Sequence, residues 1–171
     1  LRFDAGDIVT IVLSNEGVQG YIIADAVRLL NLDGPEIWLD SKDAVAAPAR
    51  APDLPESTAG ALETNDLNSD DIILQDDNQA RLEGAWRPSV NGAPIFGNSF
   101  RYAESQKKSG QISRATYTLV ANKAGTYSAQ IIFVPHQNRA INTRVSIVQN
   151  SKRTVYQVDQ GNNPSGDFVE F

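Results

Sequence analysis

Hydrophobic and polar residues alternate along most of this chain with a period of two, which is typical of β-strands buried on one face. The alternation is clearest at 115–119 and 145–147, where one face is apolar and the other polar. Turn signals rich in glycine, asparagine and proline separate the segments, which favours antiparallel strands. After position 70 the candidate strands are 71–75, 99–103, 112–120, 126–134, 142–148, 154–160 and 167–171.

The first 32 residues also have the composition of strands. Residues 7–14 are rich in β-branched side chains and end at the turn signal Asn15-Glu16-Gly17, and residues 20–29 form a second candidate strand. We expect the two to pair as an antiparallel hairpin. A helix at 24–32 is the competing interpretation, because alanine and leucine favour helices.

The alternation is lost between residues 33 and 70. This segment holds four of the eight prolines and carries nine acidic against two basic residues, a net charge of −7, whereas the rest of the chain carries +1. Such a composition is typical of an extended, self-repelling linker. A short apolar cluster within it, 37–39, is expected to dock on a folded surface. The sequence therefore predicts N-terminal strands at 1–32, an acidic linker at 33–70 and a β-body at 71–171.

The strand count predicts an all-β fold, an antiparallel two-sheet sandwich of jelly-roll type. A hydrophobic fraction of 41% is enough for a core, and no apolar run approaches the ~18 residues of a membrane span. The absence of cysteine excludes disulfides, thiolate metal sites and a cysteine nucleophile. The near-neutral folded part has no electrostatic signature of nucleic-acid binding. Leucine at position 1 and the absence of methionine predict a processed product or part of something longer.

An ordered series of short motifs resembles the golvesin C-terminal-like domain, a β-sandwich family that occurs beside xanthan lyases and in other secreted or surface proteins. The series includes Gly84-Ala85-Trp86, Tyr102-Ala103, Ala124-Gly125-Thr126-Tyr127, Val145-Ser146-Ile147 and Val158-Asp159-Gln160. Family members then continue into closing strands similar to residues 3–14 and 20–28 of this chain, where these strands come first. The resemblance implies no catalytic residues, and it implies a secreted or cell-surface location. The sequence predicts no cofactor, with calcium as the one candidate ion.

The displaced closing strands leave three arrangements open. They complete the body of their own chain, they complete the next molecule head to tail, or the chain is one repeat of a tandem array. Without them the body would expose a long sheet edge and part of its core. Because the linker's prolines and charge favour an extended path, we expect exchange, with Leu1 and Phe171 of two different copies close together. The residues expected at this junction are Phe3, Val9, Ile11, Leu13, Ile22, Val27, Phe168 and Phe171.

Few residues suggest chemistry of their own. The single histidine, His136, lies in a polar loop and is expected on the rim of the fold. Asp76 and Asp77 are weak candidates for a calcium site, because they offer hard oxygen ligands in a turn. The carboxylates of Asp25 and Asp159 are expected to be buried and to accept hydrogen bonds from neighbouring turns. With no nucleophile elbow and no phosphate-binding loop, the sequence predicts a protein that is not an enzyme.

The aromatic residues leave room for a binding function. Trp86 and Tyr102 are candidates for a sugar-stacking platform, whereas the alternation places Tyr117 and Tyr127 in the core. The leading hypothesis is a secreted or cell-surface structural module whose partners are other copies of itself, assembled head to tail into a filament or surface layer. The alternative is a monomeric carbohydrate-binding accessory module of a polysaccharide-degrading enzyme, and a third is a non-catalytic fragment of a lyase or hydrolase.

Overall fold

The computed structural model describes residues 1–33, 71–90, 96–161 and 168–171, so the expected linker beyond position 33 and its apolar cluster lie outside the described residues. In these ranges the chain forms strands, one 3-10 turn at Asp77–Gln79 and one short helix, α1, at Gln106–Ser109. The strands are β1 (Arg2–Phe3), β2 (Ile8–Ser14), β3 (Ile22–Ala24), β4 (Ala26–Asn31), β5 (Ile72–Asp76), β6 (Arg81–Glu83), β7 (Trp86–Ser89), β8 (Phe100–Ala103), β9 (Arg114–Val120), β10 (Gly125–Ile132), β11 (Thr143–Gln149), β12 (Lys152–Val158) and β13 (Phe168–Glu170).

Two five-stranded antiparallel sheets share one core, which confirms the predicted all-β sandwich. The first sheet has the order β1-β10-β4-β5, with β13 also paired to β10, and the second has the order β12-β11-β2-β9-β6. A small third sheet, β3-β8-β7, adjoins them. Long-range pairing of this kind lets strands that are distant in sequence form one buried interior.

The core confirms the burial predicted from alternation. Val9, Ile11 and Leu13 of β2 are each at most 2% exposed, and they pack in one cluster with Tyr117 of β9 and Tyr127 of β10. Phe3, Ile22 and Val27 are buried as well. Burying each such aliphatic side chain contributes about 1.5–3 kcal/mol to folding, so the N-terminal strands supply a substantial part of the interior.

The predicted hairpin of the N-terminal strands is wrong. β2 pairs with β9 on one side and β11 on the other, so both of its edges are already occupied by body strands. The following segment breaks at the buried Asp25 into β3, which pairs with β8, and β4, which pairs with β10 and β5. Consecutive strands therefore cross between sheets, as is common in sandwiches. The competing helix at 24–32 is also wrong.

Two strands, β6 and β7, were not predicted from the sequence. They are short, and most of their side chains are exposed, so they lack an apolar alternation. Pro88 lies in β7, which forms an edge of the small sheet, the place where a strand tolerates proline. Gly84 joins the two strands with φ +90°, and a Cβ there would lie 2.6 Å from the Ile112 carbonyl oxygen, so the turn requires glycine.

The two ends of the chain share one edge of β10. Phe171 exchanges backbone hydrogen bonds with Ala129 (2.9 and 3.4 Å), and Leu1 does the same with Tyr127 (2.6 and 2.8 Å). Only Ser128 lies between these two positions of β10, so β13 and β1 follow one strand path with room for a single residue between them. In this single chain the closing strands fill the edge of their own β10. The expectation that Leu1 and Phe171 of two different copies meet stays a prediction.

A buried amide side chain links the N-terminal strands to the body. Gln160 is 0% exposed, and its Oε1 accepts hydrogen bonds from the Ile23 backbone N–H (2.9 Å) and the Thr143 hydroxyl (3.0 Å). Its Nε2 donates to the Ile23 carbonyl oxygen (2.8 Å). The side chain therefore satisfies both backbone groups of Ile23, as a neighbouring strand would.

Asn15 serves the same purpose after β2. It is fully buried, its Nδ2 donates to the carbonyl oxygens of Glu104 (2.8 Å) and Gln111 (3.2 Å), and its Oδ1 accepts from the Ser113 N–H (2.7 Å). Three backbone groups of the β8–β9 connection thus depend on one amide of the N-terminal segment. The sequence indicates Asn15 only as part of a turn signal.

Candidate binding cleft

A cleft of about 610 Å³ opens between the small sheet, Tyr21 and the loop that follows β10. Its volume is within the range of small-molecule sites, roughly 300–1,000 Å³. The lining combines aromatic rings with polar and charged groups from four separate parts of the sequence. These residues are Tyr21, Arg87, Ser89, Phe100, Tyr102, Glu104, Val134, Pro135, His136, Asn138 and Arg139.

Two tyrosines form one wall of the cleft. The rings of Tyr21 and Tyr102 meet edge to face, with centroids 5.8 Å apart and planes at 72°. Lys108 of α1 lies beside them, with its Nζ 3.2 Å from the Tyr21 hydroxyl and 2.8 Å from Oε1 of Glu104. The hydrogen bond between Lys108 and Glu104 lowers the pKa of Glu104 and raises the pKa of Lys108. The charge of Glu104 is therefore compensated before any ligand enters.

The loop after β10 also lines the cleft, and its backbone is hydrogen-bonded to Tyr21. The Ala140 N–H donates to the Tyr21 carbonyl oxygen (2.8 Å), and the Tyr21 N–H donates to the Asn138 carbonyl oxygen (3.2 Å). The neighbouring Gly20 has φ +93°, and a Cβ there would lie 3.0 Å from the carbonyl carbon of Arg139. This close approach and the positive φ require glycine.

Arg139 brings an uncompensated positive charge into the cleft. Its guanidinium lies 5.7 Å from the centroid of the buried Phe100 ring, and its Nη1 donates to Oδ1 of Asn138 (3.0 Å). Its Nε is buried without a hydrogen-bond partner in the described part of the chain. Burial lowers the pKa of Arg139. Among the described residues, no carboxylate forms an ion pair with Arg139 or Arg87.

Of the residues that the sequence singles out for binding, some line the cleft and others do not. Tyr102 lines the cleft, and so does His136, which is exposed with Nδ1 2.9 Å from Oδ1 of Asn138. Trp86 does not line it: the ring packs against the core, and the indole N–H donates to the carbonyl oxygens of Glu83 (3.1 Å) and Arg114 (3.0 Å). Tyr117 and Tyr127 are both buried.

The acidic candidates are elsewhere in the fold. Asp76 caps the 3-10 turn and accepts from the Asp77 N–H (2.9 Å), while Oδ2 of the buried Asp77 pairs with Nε of Arg101 (2.9 Å). No group of three or more histidine, aspartate or glutamate side chains in the described ranges has metal-ligating geometry.

One burial prediction among the acids is wrong. Asp25 is fully buried, as expected, but Asp159 is exposed and accepts from the Gly161 N–H (2.8 Å). The residue that enters the interior is its neighbour Gln160, because successive positions of an extended chain point to opposite sides.

Asp77 predicts a pH dependence of stability. Burial, followed by the adjacent Asp76, raises the pKa of Asp77 from 3.8 to about 6. The folded state therefore holds the proton more tightly than the unfolded state, and this contribution is full below pH 3.8 and lost as the pH rises through about 6. We expect wild type to lose up to about 3 kcal/mol of unfolding free energy over this window relative to Asp77→Asn.

Urea unfolding at a series of pH values measures this difference. Asp4→Asn, at an exposed position, is the matched control and is expected to follow the wild-type profile. Asp77→Asn loses the ion pair with Arg101 at every pH, so only the change of the difference with pH is informative. If the unfolding free energies of wild type and Asp77→Asn changed in parallel with pH, the raised pKa of Asp77 would be contradicted.

Comparison with known proteins gives one match. A family model described as Golvesin C-terminal domain matches residues 72–171, from β5 to the last residue of the chain. No curated protein and no solved structure matches the chain. In the described ranges, no helix has both the length and the apolar character that crossing a membrane requires.

Proposed function

Because this chain belongs to the Golvesin C-terminal domain family, an accessory family of extracellular association, we propose that it is a non-catalytic module that binds a polysaccharide chain in the cleft between Tyr102 and Arg139. The observation that carries the proposal is the combination of a sandwich closed within one chain and an open cleft with an aromatic wall. A sandwich completed by its own strands and carrying such a cleft supports the carbohydrate-binding alternative more than the head-to-tail assembly.

The chemistry of the lining suits a sugar. The half-buried ring of Tyr102 offers an apolar face with its edge held against Tyr21, so it loses little freedom when a ligand stacks on it. Ser89, Asn138 and His136 offer polar atoms to hydroxyl groups across the cleft. An apolar platform with a few convergent polar groups is the usual composition of a ligand site.

A binding role fits this cleft better than hydrolysis. Glycoside hydrolysis generally uses two opposed carboxyl groups. Among the described residues that line the cleft, Glu104 is the only carboxylate, and Lys108 already holds it at 2.8 Å.

Titration calorimetry of the full chain with a panel of neutral and acidic hexasaccharides tests the proposal. We expect at least one to bind, with the affinity lowered about tenfold or more in Tyr102→Ala and preserved in Tyr102→Phe, which keeps the ring. Val155→Ala, on the exposed face of β12, is the control and is expected to bind as wild type. Absence of binding across the panel, or unchanged affinity in Tyr102→Ala, would refute a sugar site here.

A second candidate function is head-to-tail assembly, and the shared edge of β10 favours it. Since β13 and β1 follow one strand path with a one-residue gap, a neighbour's strand can enter where the chain's own β1 lies. The neighbour's strands 1–31 would then replace those of the first copy with the same contacts. Assembly of this kind needs no new surface.

Cysteine pairing distinguishes exchange from self-closure, since the chain has no cysteine of its own. Thr10 of β2 lies opposite Val148 of β11. A mixture of Thr10→Cys and Val148→Cys chains, refolded together and oxidised, forms mixed dimers only if β2 crosses to another copy. The double variant serves as the control for pairing within one chain. Each single variant, oxidised by itself, measures the yield of dimers that form by random collision. If the mixture gave no mixed dimers above that yield, exchange would be excluded.

A further inference from the structure

We propose that the cleft selects an acidic sugar, a hexuronate unit whose carboxylate is bound by Arg139 and Arg87. This inference rests on the proposed polysaccharide binding and specifies its ligand. Two observations support it. The two arginines line the same cleft as the tyrosines, and the carboxylate of Glu104 is already paired with Lys108.

The balance of charge in the cleft is positive. Among the described residues that line the cleft, Glu104 is the only carboxylate opposite Arg87 and Arg139, and Lys108 neutralises it. This is a local departure, because the whole chain carries a net charge of −6 and would repel anions at long range. An anionic ligand is therefore favoured by close contacts with the arginines of the cleft, and the electrostatic field of the whole negatively charged chain does not contribute to this preference.

The setting of Arg139 supplies the reason for a carboxylate. Its guanidinium is half-buried against Phe100, has lost part of its hydration, and has Asn138 as its hydrogen-bond partner. Desolvating a cation without a counter-charge costs free energy, and the lowered pKa of Arg139 reflects that cost. A ligand carboxylate would offset it, since the planar guanidinium matches a carboxylate in geometry and charge.

Arg87 places a second cation beside the stacking ring. In the small sheet it is directly opposite Tyr102, and its side chain is exposed. A sugar ring stacked on Tyr102 would therefore have Arg87 at its side, with Arg139 as a second arginine in the same cleft lining. His136 and Asn138, which hydrogen-bond each other at 2.9 Å, lie in the same lining and present further polar atoms to its hydroxyl groups.

A matched pair of probes tests this selectivity. The full chain is titrated with a galacturonate hexamer and with its carboxyl-reduced counterpart, a galactose hexamer, which differs only in the charged groups. We expect the acidic hexamer to bind about ten- to a hundredfold more tightly. We also expect that preference to weaken as salt is added.

Variants assign the preference to the arginines. Arg139→Gln and Arg87→Gln are expected to reduce it, and the double variant to remove it. Circular dichroism and urea unfolding check that each variant folds as wild type does. Arg81→Gln, an exposed charge of β6 outside the cleft lining, is the control and keeps the preference. Lysine at position 139 keeps the charge but not the planar fork, so it separates charge from geometry.

The outcomes separate this inference from the proposed function. If both hexamers bind equally, or if the preference survives in the double variant, the acidic selectivity is wrong while sugar binding stands. If neither these nor other sugars bind, the polysaccharide proposal itself fails. If hexaglutamate displaces the galacturonate hexamer at equal concentration, the ligand is an acidic peptide and the sugar assignment is overturned.

Discussion

Replacing Ile11 by aspartate is expected to abolish cooperative folding of the domain. Ile11 lies at the centre of β2, is 0% exposed, and is opposite Tyr117 on one side and Ile147 on the other. The substitution removes a buried aliphatic side chain and places a carboxylate in the core with no cation to pair with it. The combined cost, several kcal/mol, is comparable to the whole stability of a typical domain, about 5–15 kcal/mol.

The same strand provides the control. Ile8 begins β2 but is 54% exposed, so Ile8→Asp leaves the new carboxylate in water. Circular dichroism and urea unfolding are expected to show a folded Ile8→Asp protein close to wild type and an Ile11→Asp protein without a cooperative transition. An Ile11→Asp protein that melts within a few degrees of wild type would mean that β2 does not occupy the centre of the second sheet.

The second large effect is expected for Gln160→Leu, which keeps the approximate volume and removes every hydrogen bond of the side chain. The N–H and carbonyl groups of Ile23 and the hydroxyl of Thr143 then remain buried without this partner. Each unsatisfied group costs roughly 1–3 kcal/mol, so a loss of about 3–5 kcal/mol in unfolding free energy is expected.

Hydrogen exchange gives a local measure of the same change. The Ile23 amide, protected in wild type by Oε1 of Gln160, is expected to exchange faster in Gln160→Leu than the change in global stability requires. Gln157→Leu, at an exposed position of the neighbouring β12, is the control and should alter neither quantity appreciably. A Gln160→Leu protein within 1 kcal/mol of wild type would show that the bridge to Ile23 contributes little.

The period of the sequence was enough to identify the core, but it could not identify strand partners. Alternation at Val9, Ile11 and Leu13 predicts a buried face wherever β2 pairs, because period depends on the strand alone. The hairpin failed because the neighbours of β2, β9 and β11, lie in the second half of the chain. The turn signal after β2 favoured pairing with the next strand. In the structure β2 is the central strand of the second sheet, and β9 and β11 occupy both of its edges.

The cleft was less predictable than the fold. Tyr102 could be proposed as a platform from its residue type, but Tyr21 and Arg139 are far apart in sequence and meet only through one parallel bridge. Glycine at position 20 was the available signal, since a strand-forming segment rarely begins with it without a steric reason. The role of Gln160 could not be predicted, because the sequence alone does not show that its side chain bonds the backbone of Ile23 and not water.

The position of β2 has a consequence for the order in which the chain can acquire its structure during synthesis. The ribosome synthesises this apolar strand before both of its neighbours, which begin only at Arg114 and Thr143. The strand therefore stays uncovered until those later segments have been synthesised. Contacts of such sequence separation are associated with folding in milliseconds to seconds rather than microseconds. In that interval β9 and β11 of a second nascent chain can pair with the uncovered β2. Many identical chains synthesised close together would therefore favour dimers that exchange β2.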